Sequence, residues 1–311
     1  MSMIRSIRIY ITERCNANCP TCFNKQSRST SELPYDKFCE ICNMFVENNV
    51  QHLKIMGGEP TLHHDFYRMV EYAQSKFAYV HIFTNAINDI ISNVQLREED
   101  SIVYNFNFSK SLTFSKLLPN QPGKRALEIQ INSSTDEERL LLEINRIYML
   151  LPQKVICVLT LDCTENIFLE REVLVKKYIR IWKYCEQKSI PLYQDHKIPL
   201  CWIYGTEVPI IHEKKSICNI ECAGLIDSNG NLKHCNQFPN ELINIYDNGK
   251  LLPYKIICNH LKLAHNKIEQ KALEKICTTC VLYGQNCNGG CFISKDNITR
   301  DDIINCSNFP K

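Results

Sequence analysis

The stretch Cys15-Asn16-Ala17-Asn18-Cys19-Pro20-Thr21-Cys22 sets three thiols at C-x3-C-x2-C spacing. It follows Ile7-Arg8-Ile9-Tyr10-Ile11-Thr12, an alternating apolar run that reads as a strand. A strand that must end in a tight loop of three thiols restricts the fold more than any other feature. A [4Fe–4S] cube normally takes one thiolate per iron. Three close thiolates hold three irons and leave the fourth open, as in a catalytic metal site that keeps a free position. Zinc is the plainer alternative, but zinc sites usually join a C-x2-C to a second pair or to histidines.

A second strand, Leu53-Lys54-Ile55-Met56, runs into Gly57-Gly58-Glu59-Pro60. Glycines there let backbone approach a ligand closely, and the carboxylate beside them suits a charge-assisted bond to an ammonium. Together the two motifs resemble the radical S-adenosylmethionine (radical SAM) superfamily. The resemblance implies that Cys15, Cys19 and Cys22 hold a [4Fe–4S] cluster and that Gly57, Gly58 and Glu59 bind the methionine part of SAM. The family usually has an aromatic residue just before the third cysteine; here Thr21 stands there and Phe23 follows it.

The first two-thirds of the chain alternates strands and helices. Tyr35 to Val46 reads as a helix with Phe38, Cys42 and Phe45 on one face, so Cys39 and Cys42 read as buried core thiols. Phe66, Met69, Val70 and Ala73 mark a second helix. Strands follow at 79–83, 102–108, 127–131 and 155–161. Ser134-Thr135-Asp136-Glu137 looks like a capping box, opening a helix striped by Leu140, Ile144, Ile147 and Leu151. A last helix carries Leu174, Tyr178, Ile181 and Cys185. Six such units imply an α/β fold with a parallel sheet and right-handed crossovers. Functional residues belong at the carboxyl ends of its strands. The resemblance makes this a partial (β/α)6 barrel over residues 1–198. It makes Asn107, Ser109, Asn132 and Ser133 candidates for the SAM ribose and carboxylate; polar residues that merely cap the next helix are the equal alternative.

From 199 to 311 the alternation stops and cysteines return as Cys218-x3-Cys222, Gly230-x4-Cys235, Cys277-x2-Cys280, Cys287-x3-Cys291 and Cys306. Asp227-Ser228-Asn229-Gly230-Asn231 is a hairpin turn. This field resembles the cysteine-rich SPASM domain appended to some radical SAM enzymes, with six residues instead of five between Cys280 and Cys287. The resemblance assigns Cys218, Cys222, Cys235 and Cys291 to one auxiliary [4Fe–4S] cluster. It assigns Cys277, Cys280, Cys287 and Cys306 to a second, for three clusters in all. Two structural zinc sites on the same thiolates are the alternative, since sulfur tetrads suit either metal. Cys201 and Asp195, at the junction of the two parts, are candidate hydrogen-atom donor and acid–base group; His196 is a further candidate, and Cys201 also reads as a small core residue.

Eighteen cysteines in 311 residues would mean disulfides in an exported chain. No signal peptide precedes the thiol loop, so ligation in a reducing cytoplasm is expected. A net charge of +2 gives no footing for nucleic acid, and no apolar run is long enough to span a membrane. The resemblance implies reductive cleavage of SAM to methionine and a 5′-deoxyadenosyl radical, which takes a hydrogen atom from a substrate C–H bond. It favours maturation of a ribosomally made precursor peptide by crosslink, thioether or epimerisation, with a small-molecule alcohol dehydrogenase as runner-up. A flavodoxin or ferredoxin would donate electrons, and a separate protein could bind the peptide leader. A non-catalytic metal-binding or electron-transfer protein is the reading from another class.

Overall fold

The computed structural model describes residues 4–19, 22, 29–105, 113, 115–152, 154–161, 171–194, 224–234 and 241–272. Seven parallel strands stand side by side in chain order: β1 (Ser6–Thr12), β2 (His52–Gly57), β3 (Tyr79–Thr84), β4 (Ser101–Asn105), β5 (Lys124–Ile131), β6 (Val155–Leu161) and β7 (Leu192–Gln194). This is the α/β partial-barrel arrangement. Helices α1 (Tyr35–Glu47), α2 (Phe66–Lys76), α3 (Glu137–Leu150) and α4 (Arg171–Gln187) follow β1, β2, β5 and β6. Single 3-10 turns, Asp89–Asn93 and Ser115–Leu117, stand after β3 and β4 among the described residues.

Strand alternation and helical stripes meet in one core. Ile7, Ile9, Ile11, Leu53, Ile55, Val80, Ile82, Leu127 and Ile129 face the helices, which answer with residues such as Phe38, Phe45, Phe66, Met69, Leu140, Ile144, Leu174 and Ile181. A second, small cluster of Tyr10, Met56 and Leu225, with Phe83 against it, forms apart from that core. Cys42 is buried as expected, and so are Cys157 and Cys185, whereas Cys39 is partly exposed beside Tyr35 and Tyr72. The expected start of α3 also shifts. Asp136 caps the helix by accepting from Arg139 N at 3.1 Å, while Thr135 Oγ1 turns back to accept from Asn132 N at 2.9 Å. An aspartate one residue from the helix serves better than the serine two residues further out.

The later part of the chain joins the same sheet. β8 (Leu225–Ile226) pairs in parallel with β1, and β9 (Asn231–Lys233) and β10 (Glu241–Asn244) extend that edge antiparallel. The turn between β8 and β9 closes as read from the sequence. Gly230 N donates to Asp227 O at 2.9 Å, and Asp227 Oδ1 accepts from Asn229 N and Asn231 N. Gly230 holds φ of +81°, where a Cβ would also meet Tyr246 Cδ2 at 2.9 Å. The short strands β11 (Tyr246–Asp247) and β12 (Lys250–Leu251) lead into α5 (Tyr254–Ala272). Among the described residues no helix is long and apolar enough to cross a membrane.

Candidate functional site

β1 ends at Thr12, whose Oγ1 accepts from Arg14 N at 3.1 Å and starts the turn. The chain leaves, passes the three cysteines and comes back along its own path. Glu13 N donates to Ser31 O at 2.9 Å and Leu33 N to Ile11 O at 2.8 Å. That zipped stem fixes both ends of the thiol loop. Within it Cys22 N donates to Cys19 O at 3.3 Å, and Ala17 N to Cys15 Sγ at 3.4 Å. Cys15, Cys19 and Cys22 are all partly exposed. The β8–β9 turn buttresses the stem: Ser31 Oγ lies 2.6 Å from Asn229 Oδ1, and Ser228 Oγ donates to Glu13 Oε1 at 3.4 Å.

The Gly57-Gly58-Glu59 turn is pressed against this stem. Gly58 N donates to Thr12 O at 2.9 Å and Glu59 N to Arg14 O at 2.7 Å. A Cβ on Gly57 would stand 2.4 Å from Thr12 O, and one on Gly58 would stand 2.4 Å from Arg14 O and 2.6 Å from Glu13 O. Contact with backbone thus excludes side chains at both places.

Glu59 is the buried pin of the site. Its side chain is 0% exposed. Oε1 accepts from Thr61 N, Thr61 Oγ1 and Thr84 Oγ1 at 3.2, 2.7 and 2.8 Å, and Oε2 accepts from Asn85 N at 2.7 Å. Through these bonds the carboxylate ties the end of β2 to the end of β3. Burial pushes its pKa up, against the pull of the donors from Asn85, Thr61 and Thr84.

Asn85 carries the connection onward. Its Nδ2 donates to Asn16 Oδ1 at 2.9 Å and lies 3.8 Å from Cys15 Sγ, and its Oδ1 accepts from Ile87 N at 2.9 Å. The contact with Cys15 joins residues 70 apart in the chain, so no local motif reveals it. Tyr10 lies buried on the strand that leads to the loop, and burial raises its phenol pKa, with Glu13 adding to the rise.

On the outer side, a cavity of about 780 Å³ is lined by Arg14, Cys15, Thr61, His64, Tyr67 and Asn88, among others. Glu32, His63 and His64 cluster closely enough there for a metal ion. The hydrogen bonds argue otherwise. His63 Nε2 donates to Leu33 O at 3.0 Å, its Nδ1 accepts from Asp65 N at 3.0 Å, and burial lowers its pKa. Both ring nitrogens are in use, and Glu32 pairs with Arg14 and His64. Hydrogen bonds and the Arg14–Glu32 ion pair hold the group together.

Asn132 and Ser133 stand where β5 ends, as expected. Asn132 Oδ1 accepts from the hydroxyls of Ser134 and Thr135 at 2.9 and 3.1 Å, and the Ser133 carbonyl accepts from Lys177 Nζ at 2.5 Å. Asn107, Ser109, Asp195, Cys201, Cys218, Cys222, Cys235, Cys277, Cys280, Cys287, Cys291 and Cys306 lie outside the described residues, as do Thr21, Phe23 and His196.

The donor set fits an iron–sulfur cluster. Three thiols share one loop at the carboxyl end of the first strand, and two N–H groups converge on Cys15 Sγ. Such donors suit a thiolate that ligates a cluster.

Comparison with known proteins agrees with this geometry. Residues 9–98 match the family described as the Radical SAM superfamily. An 85-residue stretch is 35% identical to a "Probable GTP 3',8-cyclase" of Methanopyrus kandleri, covering 27% of this chain and 27% of that protein. The chain therefore matches about a quarter of the length of that curated relative. Among solved structures, SuiB of Streptococcus suis bound to S-adenosylmethionine superposes with a TM-score of 0.65 at 15% identity, over 97% of this chain and 76% of that one. A histidine-tagged anSMEcpe with bound AdoMet gives 0.61 at 14% identity, over 96% and 92%. At these identities the structural likeness speaks for the fold.

Proposed function

We propose that this radical SAM superfamily chain is an enzyme that opens SAM reductively and modifies a ribosomally made peptide. The single observation that carries the reading is the joined unit of thiol loop, glycine turn and Glu59 pin. It holds three thiolates and a bare glycine backbone in one fixed relation across β1, β2 and β3.

In this reading Cys15, Cys19 and Cys22 hold a [4Fe–4S] cluster, and the backbone of Gly57 and Gly58 lines the methionine end of SAM. When bound, a reduced cluster there would supply the one electron that opens the sulfonium of SAM to methionine and a 5′-deoxyadenosyl radical, which would take a hydrogen atom from a substrate C–H bond. The chain's own residues supply orientation and dryness. Glu59 locks the β2 and β3 ends, and Tyr10, Met56, Phe83 and Leu225 give an apolar patch next to the loop strand. An apolar, water-poor surrounding protects a reactive intermediate from side reactions.

The auxiliary assignment draws support from the β8–β9 hairpin. Gly224 N donates to His234 O at 3.1 Å, so the chain enters and leaves this hairpin at adjacent points, two residues after Cys222 and one before Cys235. That suits one shared cluster for Cys218, Cys222, Cys235 and Cys291, with Cys277, Cys280, Cys287 and Cys306 for the other, in a SPASM domain over 199–311. Asn107, Ser109, Asn132 and Ser133 stay proposed SAM contacts, and Cys201 and Asp195 the proposed hydrogen donor and acid–base group. The peptide class comes by analogy: the related fold of SuiB has been solved bound to precursor peptide SuiA, with a TM-score of 0.60 at 14% identity. A flavodoxin- or ferredoxin-like donor and a separate leader-binding protein complete the proposal.

The test is anaerobic reconstitution followed by iron and sulfide analysis, then reduction with SAM. About twelve irons per chain and formation of 5′-deoxyadenosine are expected. Iron-loaded, reduced protein that yields no 5′-deoxyadenosine refutes the reading.

A further inference from the structure

The structure assigns Asn85 a role of its own: we propose that it is a positioning residue that tunes the cluster held by Cys15, Cys19 and Cys22. It does so by donating its side-chain N–H to Cys15 Sγ.

Asn85 is held at three points. Its backbone N–H is bound by Glu59 Oε2 at 2.7 Å, its Oδ1 accepts from Ile87 N at 2.9 Å, and its Nδ2 donates to Asn16 Oδ1 at 2.9 Å. One Nδ2 hydrogen serves Asn16. The other is left for Cys15 Sγ, 3.8 Å away, within reach of a long N–H···S bond. The side-chain amide therefore cannot swing away without breaking two other bonds. Ala17 N–H reaches the same sulfur at 3.4 Å, so two donors from different elements converge on Cys15.

Hydrogen bonds to ligating sulfurs are among the levers that set a cluster's reduction potential, and partners behind the ligands hold them in orientation. Reduction adds one electron and makes the cluster and its thiolates more negative. A fixed N–H donor favours that state, so Asn85 raises the potential. It also links two parts of the site. Glu59, at the SAM turn, holds the backbone of the residue that touches the cluster thiolate, so a shift of either turn is felt at Cys15.

This inference rests on the cluster assignment made above, and the experiment separates the two. The reconstituted wild-type protein is titrated anaerobically, following the EPR signal that changes shape when SAM is added. Asn85→Ala removes the donor. Asn85→Asp removes it too but keeps the acceptor for Ile87 N, so the turn survives if alanine unsettles it. Both variants are expected to show a midpoint lower than wild type. Loss of the donor in Asn85→Ala should reduce the equilibrium constant for reduction roughly tenfold, which is about 59 mV for one electron. An unchanged midpoint in either iron-loaded variant overturns the role of Asn85 while leaving the cluster in place. Wild-type protein that shows no SAM-sensitive signal refutes the cluster assignment instead, before any variant is made.

Discussion

Gly58→Ala separates two reasons for a glycine at the turn after β2. If glycine is there only so that a ligand can approach, alanine harms binding and nothing else. The structure gives a different reason. The new Cβ would lie 2.4 Å from Arg14 O and 2.6 Å from Glu13 O. Comfortable separation is about 3.5 Å or more, so both carbonyls must retreat by about 1 Å. Neither belongs to a flexible side chain; both are backbone of the stem that precedes Cys15. Overpacking of this kind costs roughly 1–3 kcal/mol. The retreat also stretches the 2.7 Å bond from Glu59 N to Arg14 O, worth about another 1 kcal/mol. A loss of about 2–4 kcal/mol is expected in the protein without iron or SAM. Urea unfolding of metal-free wild type and variant measures it, and iron per chain after reconstitution should fall as the stem moves. A metal-free variant as stable as wild type, with full iron loading, would show that the stem contact does not dictate the glycine.

Three other outcomes follow from Glu59, Arg125 and His81. Glu59→Gln sets an amide N–H against a pocket built only of donors, and should cost about 2–4 kcal/mol by urea unfolding; Glu59→Gln with wild-type stability refutes the pin. Arg125 is fully buried and donates to the carbonyls of Leu117, Leu118, Gln121, Pro122 and Gly123. Arg125→Met strands those carbonyls, so a loss of about 3 kcal/mol or more and early proteolysis within 115–123 are expected. His81 lies between Ser101 Oγ at 2.7 Å and His52 Nδ1 at 3.2 Å. Burial lowers its pKa to about 4, with Lys54 and His52 adding to the fall and Asp100 opposing it. Its unfolded form takes a proton near pH 6.5 and its folded form does not, so stability is full above that pH and drops as pH falls toward 4. The loss from this residue is about 2 kcal/mol at about pH 5; His81→Gln should show a stability-against-pH curve flatter by that amount, and an unchanged curve counts against it.

Much of the framework was legible because it rests on local signals. Alternation gave β1, β2 and β3 almost to the residue, and helical spacing picked out the buried faces of α1 to α4. Glycine and aspartate chemistry gave the 227–231 turn. What the sequence hid was short or distant. β7 is three residues long and carries no period. Of the strand expected at 102–108, residues 102–105 lie in β4, and 106–108 lie outside the described residues. α3 is capped two residues later than the capping box suggested, since Asp136 takes the task in place of Ser134. Cys39 shows that half of a C-x2-C on a helix can face outward while its partner is buried.

The site itself was half legible for a physical reason. Motif chemistry identifies which atoms are able to bind a cluster or a cofactor, but which partner a carboxylate takes depends on what the fold brings beside it. Glu59 illustrates the gap. In sequence it is an acid next to two glycines, ready for a ligand. In the fold it meets Thr61, Thr84 and Asn85, three uncharged neighbours that bring donors. Parallel pairing of β2 and β3 puts the end of one strand beside the end of the next, so an acid after β2 and a polar pair after β3 must share the same space. Held there, Glu59 fixes Asn85, and Asn85 reaches Cys15 on the loop after β1. Three consecutive strand ends are thus coupled through side chains that no single motif contains. Moving one of the three ends therefore moves Cys15 Sγ as well.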